Sequence, residues 1–254
     1  MTIKAVSFDL DDTLWPILPV ILKAEKGTNE WLIENYPGVE KLLNSKEMMD
    51  IRDNLISQKS DLINQLSKLR ELSLVELGIR SGYEREEAEI MARESFKIFF
   101  SGRNDVKLYD GAEESLDKLK DKYTLGVITN GNANLEKIGI NHYFKFNLSA
   151  EDMNTSKPDP KIFEAAVKET GLQAEEICHV GDHPINDILG SLSIGIKAIW
   201  FNEKKIDWPL DELSSKTTLQ VTGINIDNVL DNLVPAQCDI TFNIRYSHGY
   251  KSKH

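Results

Sequence analysis

Three aspartates crowd into the stretch Phe8-Asp9-Leu10-Asp11-Asp12-Thr13, and no other part of this 254-residue chain is better suited to chemistry. Clustered like charges repel, and each carboxylate costs free energy to desolvate. Asp9 and Asp11 are two apart, so both can lie on one side of an extended end, with backbone carbonyls between them. A bound cation is the simplest remedy, and hard oxygen ligands of this kind suit Mg²⁺. Taken alone, the pair also fits an acidic loop that follows a strand. Three further groups follow in order: Thr129-Asn-Gly, Lys157-Pro-Asp-Pro and Gly181-Asp-His-Pro-Ile-Asn-Asp187.

Each group stands where an element ends or begins. Ala5–Phe8 is an apolar run interrupted only by Ser7, and reads as a buried strand running into the acids. Thr124–Thr129 reads as a strand stopped by Asn130-Gly131-Asn132. Phe144–Ser149 is a weaker strand, Ile177–Val180 ends at Gly181-Asp182, and Lys197–Phe201 is a further strand. Helical patterns lie between them: one opened by Asp110-Gly111 and running to Tyr123, Pro160–Thr170 closed by Gly171, and Asp187–Leu192 closed near Gly195. This alternation predicts a doubly wound α/β domain with a parallel sheet and helices on both faces. Ligands of such sheets bind beyond the carboxyl ends of the strands, where Asp9, Thr129 and Asp182 all fall.

Residues 16–103 show no strand signal. Apolar residues recur at helical intervals from Met49 to Leu77, and Glu84–Phe100 is a helix with a charged first turn. The expected division is therefore a discontinuous Rossmann-like core over 1–15 and 104–234, an inserted all-helical cap over 16–103 and a tail over 235–254. The cap follows directly on Asp9–Thr13 and should overhang the site like a lid. A last short strand is expected from Leu219 to Ile224 and a last helix over 227–233. The tail beyond Pro235 alternates apolar and polar residues and reads as an edge strand or as frayed chain, with solvent-exposed histidines at its end.

Composition narrows the function. Acidic residues outnumber basic ones, 41 to 30, so neither a basic nucleic-acid face nor a nucleic-acid partner is expected. The uncharged run Thr13–Leu22 is too short to span a bilayer and contains two prolines, so no membrane partner is expected. Cys178 and Cys238 match no metal spacing and no disulfide framework. With no secretory leader at the N-terminus, the reading is cytoplasmic.

The four groups resemble, in order and in placement, the motifs of the haloacid dehalogenase superfamily, and the resemblance covers about residues 3–202. The stretches Phe8-Asp-Leu-Asp-Asp-Thr-Leu-Trp, Ile128-Thr-Asn-Gly-Asn-Ala, Ser156-Lys-Pro-Asp-Pro and His179-Val-Gly-Asp-His-Pro-Ile-Asn-Asp are most similar to the branch with flavin-mononucleotide and ribitylaminouracil-phosphate phosphatases. The resemblance implies a Mg²⁺-dependent phosphatase of small phosphorylated metabolites, with the helical insert as its cap. It implies Asp9 as the nucleophile that forms an aspartyl-phosphate. It implies Mg²⁺ held by Asp9, the backbone carbonyl of Asp11 and Asp182, with Asp187 holding a bound water or orienting the shell. Lys157 would offset the carboxylates and steady the phosphoryl group. The Thr129 hydroxyl and the backbone N–H groups of Asn130 and Gly131 would cradle its oxygens.

Asp11 discriminates between reactions on this scaffold. A leaving alkoxide needs a proton and an attacking water must lose one, whereas halide leaves unprotonated. The dehalogenases of the family lack that acid. A carbon–halogen hydrolase and a non-catalytic binding module are the alternatives. Trp15 has two open readings, a stacking surface for a flat substrate or a core residue. Arg70 reads as part of a solvated helix face, His183 as a bystander, and His142 and His179 as having no partner at ligand spacing. Asp12 is expected to face away from the metal.

Overall fold

Ala5, Val6, Ser7 and Phe8 are all buried, as a strand covered on both faces must be, and they form β1 (Ala5–Phe8) in the middle of the main sheet. The computed structural model describes residues 2–206, 208, 218–226 and 238–245. Val6 and Phe8 pack with Leu116, Leu125 and Val127 on one face, and Ala5 packs with Ile128, Phe163 and Ile177 on the other. Such alternation gives the sheet a core on each side.

Between β1 and the next strand the chain is helical. It runs through α1 (Ile17–Asn35), α2 (Ser45–Gln58), α3 (Leu66–Arg80) and α4 (Arg85–Arg103). Leu32, Val39, Ile51, Leu74, Leu77 and Met91 form a separate apolar core there. The expected continuous helical pattern from Met49 to Leu77 is two helices, because Lys59 is extended and a 3₁₀ turn over Ser60–Asn64 intervenes. That turn still buries Leu62, so the apolar spacing continues across the break.

The chain then alternates: α5 (Ala112–Lys120), β2 (Thr124–Thr129), α6 (Leu135–Ile138), β3 (Phe146–Ser149), α7 (Ala150–Met153), α8 (Pro160–Thr170), β4 (Ile177–Gly181), α9 (Gly190–Leu192) and β5 (Lys197–Trp200). The sheet order is β3-β2-β1-β4-β5, and every pairing is parallel. Phe8 stands opposite both Val127 and Val180, so β1, β2 and β4 end along one edge. The chain leaves β1 toward β2 on one side and later returns to β4 on the other, and this reversal opens a crevice at the carboxyl end of β1.

Two elements depart from expectation. The helix expected over Asp187–Leu192 begins earlier, as a π-helical turn over Pro184–Leu189 that continues into α9. The tail strand pairs with its neighbour in sequence and not with the parallel sheet. β6 (Thr218–Ile226) and β7 (Cys238–Arg245) form their own antiparallel two-stranded sheet, since a parallel pairing needs a longer crossover. The helix expected over 227–233 and the chain end from 246 lie outside the described residues. Among the described residues, no helix is long and apolar enough to cross a membrane.

Candidate active site

Asp9 leaves β1 with its N–H donating to the Val180 carbonyl at 2.8 Å, and its side chain is buried. Its Oδ1 lies 2.7 Å from Lys157 Nζ, and the same ammonium contacts Asp187 Oδ1 at 2.5 Å. One buried cation is thus shared by two buried carboxylates, an arrangement that desolvation would otherwise forbid. Burial works against the charge of Lys157, but Asp9 and Asp187 outweigh it and raise its pKa. For Asp9 burial dominates and Lys157 only partly offsets it, so its pKa is pushed up to about 7. Burial would also raise Asp187, but Lys157 and His179 together hold it below the usual carboxylate range.

Asp187 is anchored on all sides. His179 Nε2 lies 3.1 Å from its Oδ1, and the backbone N–H of His183 donates to its Oδ2 at 2.9 Å. Burial lowers the pKa of His179 and keeps its ring neutral. A carboxylate only accepts, so Nε2 carries the proton and Nδ1 accepts from the Ser7 hydroxyl, 2.9 Å away. Gly181 leaves the room that Asp187 occupies: a Cβ there would stand 2.3 Å from Asp187 Cγ. Gly181→Ala is expected to push Asp187 off Lys157 and to cost about 1–3 kcal/mol, the usual range for overpacking, as read by urea denaturation. A variant as stable as the parent would show that Asp187 relaxes freely.

Asp182 completes an acidic cluster. One carboxylate oxygen from each of Asp9, Asp182 and Asp187 lies within 4.8 Å of the others. Burial, then Asp187 and Asp12, raise Asp182 to about 6. Trp200 Nε1 donates to the Asp182 carbonyl at 2.7 Å and fixes the turn. Three convergent carboxylates with a single ammonium between two of them form an oxygen donor set that fits a hard divalent cation such as Mg²⁺.

The loop after β2 closes the other side. The Gly131 N–H donates to Thr129 Oγ1 at 3.0 Å, so in this state that N–H is engaged within the loop and is not a free phosphate donor. The Asn130 amide clasps Lys157: its Nδ2 donates to the Lys157 carbonyl at 3.0 Å and its Oδ1 accepts the Lys157 N–H at 2.7 Å. The Asn130 side chain therefore ties the Thr129 loop to the lysine loop.

Asp11 stands outside the three-carboxylate group but lines the same cleft. Arg103 Nη2 donates to its Oδ1 at 2.9 Å and to its Oδ2 at 2.7 Å, and Trp15 Nε1 donates to Oδ1 at 2.9 Å. Burial raises the pKa of Asp11, and Arg103 acts against that shift. Of the two readings of Trp15, the structure supports the core one, since the ring is fully buried and serves Asp11 with its N–H. Asp12 faces elsewhere: Oδ1 accepts the N–H of Ile17 at 3.0 Å and Oδ2 meets Lys204 Nζ at 2.9 Å.

A model of the family described as haloacid dehalogenase-like hydrolase matches residues 6–201 of the chain. The chain belongs to this family. Among haloacid dehalogenase-like proteins it is 29% identical over 205 residues to the 5-amino-6-(5-phospho-D-ribitylamino)uracil phosphatase of Escherichia coli, covering 81% of this chain and 86% of that protein. It is 26% identical over 209 residues to the glyceraldehyde 3-phosphate phosphatase of Pyrococcus abyssi, covering 80% and 83%. The solved structure of 2-haloacid dehalogenase from Pseudomonas syringae superposes with a TM-score of 0.80 at 38% identity, covering 83% of this chain and 91% of that one.

Within this haloacid dehalogenase-like framework, three side chains make contacts that their sequence reading did not specify. His179 has partners on both nitrogens, and the register explains them: Ser7 on β1 stands directly opposite it on β4. Arg70 is partly buried, with its guanidinium carbon 3.5 Å from the Phe99 ring centroid and a bond to Glu25 Oε1 at 3.1 Å. His183 supports the site locally, its Nδ1 accepting the N–H groups of Ile185 and Asn186 at the start of the π-helical turn. Arg103 carries no signal in the sequence, because its partner Asp11 lies 92 positions away.

Proposed function

We propose that this chain is a Mg²⁺-dependent phosphatase that hydrolyses a phosphomonoester of a small metabolite through an aspartyl-phosphate on Asp9. The observation that carries this reading is a second carboxyl, Asp11, held beside the nucleophile strand by Arg103 and Trp15. An acid in that place has work to do when the leaving group is an alkoxide and none when it is a halide.

In this mechanism an Asp9 oxygen attacks phosphorus as the bond to the leaving oxygen breaks. Asp11 gives that oxygen its proton. Water then attacks the phosphorus of the aspartyl-phosphate, Asp11 takes the water's proton, and Asp9 is released with inorganic phosphate. Lys157, clasped by Asn130, holds Asp9 in place and offsets the charge of the phosphoryl group, and Thr129 supplies a hydroxyl to its oxygens. Asp9, Asp182 and the Asp11 backbone carbonyl would hold Mg²⁺, with Asp187 supporting them. When bound, Mg²⁺ offsets the negative charge that meets when a carboxylate approaches a phosphate ester. The helices over 17–103 would serve as a lid that excludes water, resting on the core through bonds such as Asn132 Nδ2 to Ser67 Oγ at 3.1 Å and Ser67 Oγ to Glu151 Oε2 at 3.1 Å.

The two phosphatase relatives act, by their names, on phosphates of short hydroxylated carbon chains. We take ribityl, flavin or sugar phosphates as the substrate class, and the cytoplasm as the place of action. The resemblance to a 2-haloacid dehalogenase favours a second reading, carbon–halogen hydrolysis, which Asp11 argues against. A panel of ribityl, flavin and sugar phosphates, assayed for phosphate release beside 2-haloacids assayed for halide, separates the two. Phosphate release that stops on chelation is expected. Halide release without phosphate release would overturn the reading.

Metal affinity carries a pH signature. Asp9 and Asp182 titrate at about 7 and about 6 without metal, so protons compete with the cation for both groups. Mg²⁺ binding is expected to weaken as pH falls through this range, by about tenfold per pH unit for each proton displaced. Calorimetric titration of the protein with Mg²⁺ checks this. Affinity unchanged across the range would show that neither carboxylate is a ligand.

A further inference from the structure

Arg103 has no part in the reaction as described above, yet it is among the largest fully buried side chains of the described residues. It ends α4, where the helical insert returns to the core. Its Nη2 donates to both oxygens of Asp11, and its Nε donates to Asn132 Oδ1 at 3.2 Å. The remaining nitrogen, Nη1, is buried with no partner among the described residues. Asp11 is therefore the only carboxylate among the described residues that neutralises this guanidinium.

The two oxygens of Asp11 are not equivalent. Oδ1 accepts from both Trp15 and Arg103, while Oδ2 accepts from Arg103 alone. The side chain stays 23% exposed, and it lines the same cleft as Asp9, Thr129 and Lys157. Oδ2 is thus the oxygen with a lone pair left to offer. Space is reserved for this pose by Gly131, where a Cβ would stand 2.6 Å from Asp11 Oδ2 and 3.2 Å from Arg103 Nη2. A carboxylate on a loop can rotate; donors from two directions and a wall on a third remove that freedom. The planar head of arginine is held at a second point as well, since Nη2 alone meets both Asp11 oxygens while Nε is bonded to Asn132. Arg103 is itself held by Asn132, whose amide donates to Ser67 at the start of α3, so the pose of Asp11 is tied to the helical insert at two places.

We infer that Arg103 is a positioning residue that acts through Asp11, setting the direction in which Oδ2 faces the oxygen of the leaving group. This rests on the phosphatase reading. A purely structural Arg103 would affect the first step of all substrates alike, whereas a residue that aims the proton donor matters in that step only where the leaving group needs a proton.

Arg103→Met is tested with an alkyl phosphate, which needs that proton, and with para-nitrophenyl phosphate, which does not. For the alkyl ester kcat/KM, which reports the step that forms the aspartyl-phosphate, is expected to fall about 10²–10³-fold, within the usual span of acid–base contributions. For the aryl ester kcat/KM is expected to fall less than about tenfold, because nitrophenolate leaves without that proton, while kcat on both esters falls with the base role of Asp11 in the second step. Arg103→Lys is expected to recover part of the alkyl rate. Added to Asp11→Asn, Arg103→Met is expected to cause no further loss, since the two act as one unit. Equal losses in kcat/KM on both esters, or losses in kcat/KM that multiply with Asp11→Asn, would overturn the inference. If Arg103→Met does not fold, Asn132→Ala removes the bond to Nε, and the same selective loss is expected at smaller size; an equal loss in kcat/KM on both esters again overturns it. An unaltered protein that hydrolyses neither ester overturns the phosphatase reading itself. One that hydrolyses both leaves that reading standing and puts only Arg103 at stake.

Discussion

Replacing Lys157 with methionine is expected to remove nearly all turnover and to cost about 3–5 kcal/mol of stability, the scale of breaking a buried ion pair from one side. The ammonium is the shared partner of Asp9 and Asp187, both buried, and methionine fills its volume without its charge. Two carboxylates would then face each other with no cation, and Asp9 would move further toward its protonated form. A protonated carboxyl is no nucleophile, so stability and activity fall for one reason. The pH dependence has a definite sign. Asp187 is held below its ordinary range by Lys157, so its contribution is present above the unfolded value of 3.8 and is lost as pH falls through its folded pKa. The gap between parent and variant is therefore largest near neutral pH and shrinks in acid. Urea denaturation of both proteins at neutral pH and in acid measures it. A gap that is small at neutral pH, or that widens in acid, would contradict the geometry of the triad.

Asp9→Asn should separate the two properties. Loss of a nucleophile commonly removes a factor of about 10⁶ in kcat, and a loss on that order is expected here. Stability should hold or rise, because burial has pushed Asp9 up to about 7 and its ionised form is the less comfortable one in the metal-free fold. An amide keeps the shape and an acceptor for Lys157 without the desolvated charge. The result to look for is an inactive protein that melts no earlier than its parent when both are metal-free. Retained turnover would remove Asp9 from the chemistry. A large loss of stability would mean that its bond to Lys157 outweighs its burial.

The acidic stretch after β1 and its three companion groups were legible in sequence because each is local: a short apolar run, a punctuation and a functional side chain within a few residues. The parallel sheet followed from the alternation of strand and helix, since right-handed crossovers leave few ways to order such strands. The supporting residues were not legible, because their partners are distant in the chain. Arg103 meets Asp11 across 92 positions and His179 meets Ser7 across 172. A signal did exist for the second pair. Ser7 and His179 are each a polar interruption of an otherwise apolar buried strand, and such groups need partners. Pairing them requires the β1–β4 register, which one sequence does not supply. Asn130 differs again: its motif position marks it as a phosphate-loop residue, while its side chain clasps the backbone of Lys157.

The claim on which the rest depends is that phosphorus becomes bonded to Asp9. Asp11→Asn is the protein in which to catch it, because para-nitrophenyl phosphate needs no acid to leave while the second step still needs a base. The measurement is acid quenching of a single turnover of that variant in Mg²⁺, followed by digestion and mass spectrometry of the peptide that contains Asp9. The account predicts one added phosphoryl group on that peptide, on Asp9, absent after chelation of the metal and absent when Asp9→Asn is added to the variant. Nitrophenol release with no phosphorylated peptide, or a phosphoryl group that persists when Asp9 is replaced, would contradict it.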